Sequence, residues 1–141
     1  MEAYRIDRFG SVDGIVLRSS DNPRPGLREV LMRVRASSLN YRDLMVLKGG
    51  GRGPTKPGVV PLSDGAGEVA AVGDGVTRVK IGDRIAGCFH PRWFGGPISA
   101  DYLTDRLGAN LDGMLAEYAV LSEEAETHRN CSRGPRGHLS F

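Results

Sequence analysis

Cysteine is scarce in this sequence. Cys88 and Cys131 are the only two in 141 residues, far apart and in no metal-ligand spacing. This excludes a disulfide framework and fits a reducing compartment. Neither sign of charge dominates: 19 basic and 17 acidic residues are interleaved to a net charge of +2. No basic block is long enough to read as a nucleic-acid patch. No apolar stretch approaches the length of a membrane span. The opening Met-Glu-Ala-Tyr-Arg-Ile-Asp has neither the basic nor the apolar region of a signal peptide. A cytoplasmic protein with no nucleic-acid or membrane partner is expected. Aromatic residues amount to only 6%.

Glycine is abundant, at 20 residues, beside 40% hydrophobic and 26% charged residues. Such a chain has the length for one domain with its own core. Much glycine with short apolar runs favours strands joined by turns over a helix bundle. Residues 1–9 alternate as a strand, and Ile15 to Arg18 reads as its hairpin partner across Gly10 and Asp13-Gly14. Glu29 to Ala36 is the clearest strand, its Val30, Met32 and Val34 alternating with Leu31, Arg33 and Arg35. Gly67 to Gly73 is a strand, with a hairpin partner expected at Val76 to Val79 beyond the Asp74-Gly75 turn. Arg84 to Gly87 and Leu115 to Leu121 complete the strands.

Between Ser38 and Lys48 the period changes to that of a short helix, with Asn40 or Ser38 as candidate cap. Residues 49–61, with Pro54, Pro57 and Pro61, form a loop. Residues 90–113 are a long irregular excursion with one helical turn expected near Ala100 to Leu107. Such a length in a small domain often serves function. Glu123 to Gly137 has no Val, Ile, Leu or Phe, so a disordered or aberrant tail is expected over 123–141, after a domain of residues 1–122. The fold expected is a small antiparallel β-barrel or sandwich.

Four blocks carry a family resemblance. Glu29-Val-Leu-Met-Arg-Val-Arg-Ala-Ser-Ser-Leu-Asn-Tyr-Arg-Asp43 resembles the strand and helix start at the catalytic edge of medium-chain dehydrogenases. Pro61-Leu-Ser-Asp-Gly-Ala-Gly-Glu-Val-Ala-Ala-Val-Gly73 resembles the Gly-rich segment that follows there, and Val76 to Gly87 its next hairpin. Gly113-Met-Leu-Ala-Glu-Tyr-Ala-Val120 resembles the strand that closes the barrel. Their order and spacing resemble the GroES-like catalytic domain of that superfamily. The resemblance implies a mainly β, partly open GroES-like barrel with one or two short helices and no Rossmann domain in this chain.

Two departures from the zinc enzymes point to the quinone oxidoreductase and zinc-independent alcohol dehydrogenase branch. Asn40 stands where they have a cysteine, and Leu62-Ser63-Asp64 stands for their Gly-His-Glu. Neither Asn nor Ser is a usual zinc ligand. The loop after Gly87 holds only Cys88, where the zinc enzymes often have four cysteines. No zinc is expected.

By position, Asn40 and Tyr41 resemble the residues that face nicotinamide and substrate, as donors toward a carbonyl oxygen gaining charge. The alternatives are that Asn40 caps the helix and Tyr41 packs. Asp43 would orient that corner, and Ser63 and Asp64 occupy the old ligand corner, Ser63 reading equally as a turn residue. Trp93 and Phe94 wall a pocket or pack on another domain. His90 reads as structural. Gly65-Ala66-Gly67 is not a phosphate loop, because a strand and not a helix follows it.

The expected function is the catalytic domain of an NAD(P)-dependent oxidoreductase acting on an alcohol or aldehyde, a quinone or an enone. Without a cofactor domain it is expected to bind neither NAD nor NADP tightly and to be inactive alone. Expected partners are a small-molecule substrate and a further copy or a separately encoded cofactor domain. The competing reading is a non-catalytic chaperonin-10-like assembly module. Nucleic-acid binding through the tail is disfavoured, since residues 122–141 hold three Arg against three Glu.

Overall fold

The first hairpin is formed by β1 (Glu2–Ile6) and β2 (Ile15–Ser19), antiparallel with Glu2 opposite Ser19 and Ile6 opposite Ile15. A 3₁₀ turn at Val12–Gly14 reverses the chain, its start capped by the Ser11 hydroxyl accepting from the Asp13 N–H. This computed structural model describes residues 1–50, 53–93, 95–97, 99, 102, 104–124 and 126–128, the last three by backbone alone.

A second antiparallel sheet has the order β6-β3-β4-β5-β7. Its members are β3 (Glu29–Ser38), β4 (Asp64–Val72), β5 (Arg84–Gly87), β6 (Tyr118–Ser122) and β7 (Glu126–His128). The alternation read in β3 sets its pairing: Val30 and Met32 are fully buried, while Arg33 and Arg35 point out of the core. Register shifts at Leu31/Met32 and Val34/Ala36 bend β3 against β4. β1 joins the two sheets. Its Tyr4 N–H donates to the Leu115 carbonyl at 3.0 Å, and its Ile6 N–H donates to the Val59 carbonyl at 3.0 Å. The result is a partly open barrel.

Two apolar clusters fill it. Val30, Met32, Val69, Ile85, Met114 and Leu121 lie in the larger, and Ile6, Val46, Leu47, Val59 and Ala109 form the smaller. The single helix described, α1 (Tyr41–Leu47), seats Val46 and Leu47 in the smaller cluster. Its other face, with Tyr41, Leu44 and Met45, is exposed, as is the neighbouring Leu39.

One expectation differs from the structure. Val76–Val79 is not a strand: β4 takes β5 as its partner, and the N–H groups of Thr77 and Arg78 donate instead to the Glu123 carboxylate at 2.8 and 3.1 Å. Described structure continues past residue 122: Glu123 is fully buried and Glu126 pairs with Gly87. Residues 129–141 lie outside the described residues, as do parts of the helical turn expected near Ala100 to Leu107. No helix among the described residues is long and apolar enough to cross a membrane.

Candidate functional site

The end of β3, the start of α1 and the start of β4 meet at one corner. Asn40 is the residue before the first turn of α1, in extended conformation at φ −124° and ψ 154°. Its backbone N–H donates to Asp43 Oδ2 at 2.8 Å, and its carbonyl accepts from the Asp43 N–H at 3.0 Å. Asp43 thereby closes the first turn and fixes the Asn40 backbone. With Asp43, Asn40 forms the capping box at the start of α1. Its amide Nδ2 donates across the corner to Asp64 Oδ2.

Removing the Asp43 carboxylate frees a buried N–H at this turn. Asp43→Ala is expected to lower stability by about 1–2 kcal/mol in urea unfolding. The amide resonance of Asn40, followed by NMR, should shift more than those of β1.

Tyr41, expected either to face substrate or to pack, is 78% exposed and so does not pack. Ser63 is buried at 3% exposure, directly after Leu62, whose φ of 71° lies in the left-handed region. That conformation costs a residue with a Cβ about 1–2 kcal/mol. It turns the chain so that Leu62 enters the larger cluster while Asp64 begins β4 beside Asn40. The Trp93 indole N–H donates to the Gly96 carbonyl at 3.1 Å. Phe94 lies outside the described residues. His90 serves structure. Its Nδ1 lies 3.1 and 3.3 Å from the Tyr102 and Asp105 carbonyls, which can only accept, so that nitrogen carries the proton.

Two residues at this corner were not singled out from the sequence. The Arg42 guanidinium lies over the Phe89 ring, 4.6 Å from its centroid, and 3.9 Å from Asp43 Oδ1. Burial, and next the charge of Arg106, lower its pKa, opposed by Asp43 and Asp64. Arg106 is itself buried, at 7% exposure. Arg42 was hidden inside the motif that drew attention to its neighbours. Arg106 gave no pattern, a single arginine in an irregular loop.

The corner does not suit a zinc ion. Asn40 and Ser63 bring no thiolate or imidazole, Asp64 is engaged by the Asn40 amide, and among the described residues no three His, Cys, Asp or Glu converge. Nor does Gly65-Ala66-Gly67 form a phosphate cradle. It lies within β4, and a Cβ on Gly67 would stand 2.0 Å from the Arg33 carbonyl oxygen, so glycine here serves strand packing. A separate open groove of about 460 Å³ runs between Tyr4, Leu17, Val34 and Leu115, with Glu2 and Glu117 also lining it. None of the corner residues lines it.

Residues 26–130 match the alcohol dehydrogenase GroES-like domain. The chain belongs to that family. This GroES-like domain is 41% identical over 101 residues to a zinc-type alcohol dehydrogenase-like protein of Schizosaccharomyces pombe, covering 71% of this chain and 29% of that protein. It is 37% identical over 120 residues to a quinone oxidoreductase of Pseudomonas aeruginosa, covering 85% and 30% respectively. A solved NAD-dependent alcohol dehydrogenase superposes with a TM-score of 0.76 at 30% identity, covering 91% of this chain and 39% of that one. The chain thus spans about a third of the length of the relatives it matches. The GroES-like fold and the oxidoreductase family expected from the four sequence blocks are both found.

Proposed function

We propose that this GroES-like domain positions an alcohol, or a carbonyl of an aldehyde, quinone or enone, for hydride exchange with NAD or NADP held by a separate domain, and that it does so without zinc. The observation that carries this reading is the double restraint on Asn40. Its backbone is held by Asp43 and its amide by Asp64. One amide N–H is spent on Asp64, and the second remains to donate to a substrate oxygen. A donor fixed before the reaction needs no reorganisation as charge grows on that oxygen. The exposed Tyr41 hydroxyl adds a second donor one residue along. The nicotinamide, when bound, supplies or accepts the hydride. The exposed apolar face of Leu39, Tyr41, Leu44 and Met45 beside the corner is where we place the cofactor domain. Alone, the chain is expected to be inactive, and a cytoplasmic setting fits its cysteine scarcity.

The test joins this chain to the cofactor-binding remainder of the P. aeruginosa quinone oxidoreductase. Oxidation of NADH and NADPH is then followed with aldehydes, enones and quinones. The fusion should turn over at least one class, and the 141-residue chain alone should turn over none. Asn40→Ala in the fusion should lower kcat/KM about 100-fold, the scale for losing one donor to a developing oxyanion. A folded fusion that binds cofactor and is equally active with and without Asn40 would sink the proposal.

A further inference from the structure

The groove between the first hairpin and β3 takes no part in the positioning of Asn40, and its lining is of a particular kind. Val34, Arg35, Ala36 and Ser37 contribute to it in an unbroken run, as do residues 114–117. Side chains alternate between the two faces of a strand, so a consecutive run lines a groove through its backbone edge. The edge at 114–117 is already used. The Leu115 carbonyl accepts from the Tyr4 N–H, the Glu117 N–H donates to the Glu2 carbonyl at 3.0 Å, and the Glu117 carbonyl accepts from the Val34 N–H at 2.9 Å. The edge of β3 is not. β6 pairs with β3 from Glu29 to Arg33, and the Val34 bond to Glu117 is the last rung on that side. Beyond it, Ala36, Ser37 and Ser38 pair with β4 and, among the described residues, with no strand on the other edge. The register shift at Val34/Ala36 falls where β3 parts from β6. Arg35, the one charge of this stretch, is turned to Glu68 at 2.9 Å.

The opposite wall is apolar. Tyr4 and Leu17 are cross-strand partners in β1 and β2, and both are exposed, at 42% and 48%. The floor between them and β3 includes Val34 and Leu115, which pack on the larger cluster. An unpaired strand edge and an uncovered apolar pair thus face the same space. Glu2 and Glu117 meet at the end beside Val34, where Glu117 Oε2 accepts from the Glu2 N–H at 2.9 Å. Neither carboxylate has a cationic partner among the described residues.

These unmet groups have the shape of a strand. We propose that the groove takes one extended polypeptide segment, which adds to the edge of β3 at residues 35–38, lays alternate apolar side chains on Tyr4 and Leu17, and sets a basic residue at Glu2 and Glu117. A second copy of the domain does not fit this description. Its own β3 edge lies equally sunk behind Tyr4 and Leu17, and two sunk edges cannot meet. A small apolar molecule would cover the wall and leave the edge unpaired. None of Asn40, Asp43 and Asp64 lines the groove, so the surface does not depend on the redox reading.

An NMR titration of the isotope-labelled full chain with the end-blocked peptide Lys-Val-Thr-Val-Thr-Val-Lys tests it. At millimolar concentration the peptide should shift the amides of residues 35–38 and slow their hydrogen exchange about tenfold, while those of α1 stay in place. The same peptide N-methylated along one edge keeps its side chains but cannot pair, and should bind about tenfold more weakly. Glutamates in place of the lysines should weaken binding about fivefold. Leu17→Lys alters an exposed wall position, leaves the core intact and should weaken the lysine peptide about tenfold. Unmoved amides at 35–38 overturn the proposal. Equal binding of the N-methylated peptide also overturns it, because the groove then takes side chains and not a strand. Amides at 35–38 that are slow to exchange in the chain alone, and lose this protection on dilution, would put a second copy there and overturn it as well.

Discussion

Gly113→Val is expected to unfold the domain, and even Gly113→Ala to cost about 3–5 kcal/mol. The cause is a close approach of backbones. A Cβ at residue 113 would stand 2.0 Å from the Leu62 carbonyl oxygen, 2.5 Å from that of Pro61 and 2.8 Å from that of Val60. None of these is a side chain that can rotate away. The same three carbonyls accept from this segment: Gly113 N–H donates to Val60 at 2.8 Å, and Met114 N–H donates to Leu62 at 2.9 Å and to Pro61 at 3.1 Å. Moving this segment outward to admit a methyl group stretches all three bonds and lifts Met114 from the larger cluster, where it is 1% exposed. Leu62, already in the left-handed region, is confined from the opposite side by Gly108, where a Cβ would lie 2.7 Å from the Leu62 carbonyl carbon. The conformation that presents Ser63 and Asp64 therefore depends on two glycines distant in sequence. Urea unfolding of Gly113→Ala should show a much lower midpoint with little change in slope. A midpoint close to that of the parent would show that the two segments separate freely.

The parts of this fold that could be read from sequence are those set by local periodicity. β3 alternates, and the face that carries Val30 and Met32 is the one it buries, while β4 and β6 pair along its two edges. The β1–β2 hairpin and β5 follow from turn residues beside apolar runs. The candidate corner was legible as residue types: Asn40, Asp43 and Asp64 do come together, although Asn40 and Asp64 are 24 positions apart. What escaped was set by partners far away in the chain. Residues 76–79 have the pattern of a strand, but their N–H groups face a carboxylate 45 and 46 positions on. The helical period was legible in α1 but not which of its apolar residues are covered: Val46 and Leu47 are buried while Leu44 and Met45 stay exposed, because the helix is short and only its last turn reaches Ile6 and Val59. The burial of Arg106 could not be read on paper, since nothing in an irregular loop of glycines and prolines fixes where its arginine points.

Glu123 illustrates the same point with a larger consequence. In sequence it begins a run of polar residues and looks like the start of a tail. In the fold it is fully buried and joins three segments. Oε2 accepts from the Thr77 and Arg78 N–H groups at 2.8 and 3.1 Å, and Oε1 accepts from Arg28 Nε at 2.7 Å. Its own N–H donates to the Arg28 carbonyl at 3.0 Å, and Arg28 takes a left-handed φ of 56° to make this arrangement. Glu123→Ala would leave the Thr77 and Arg78 N–H groups without their shared acceptor and Arg28 with Glu124 alone. It is expected to lower Tm by about 10 °C or more, the scale for breaking a buried charged network in a domain of this size. The pH dependence separates this role from simple packing. The Thr77 N–H, then the Arg78 N–H and the Arg28 guanidinium, hold the Glu123 carboxyl below its ordinary value of 4.5 against the opposing effect of burial. A carboxyl with a lowered folded-state pKa stabilises fully above its unfolded value and loses that contribution as pH falls through the folded one. The parent should therefore lose stability progressively below about pH 4.5. Glu123→Gln, less stable than the parent at neutral pH, should show a flatter profile in that acid range, so that the two curves converge. Parallel curves down to the acid limit would mean that the carboxylate charge of Glu123 does not hold the loop at 77–78 to the end of β6.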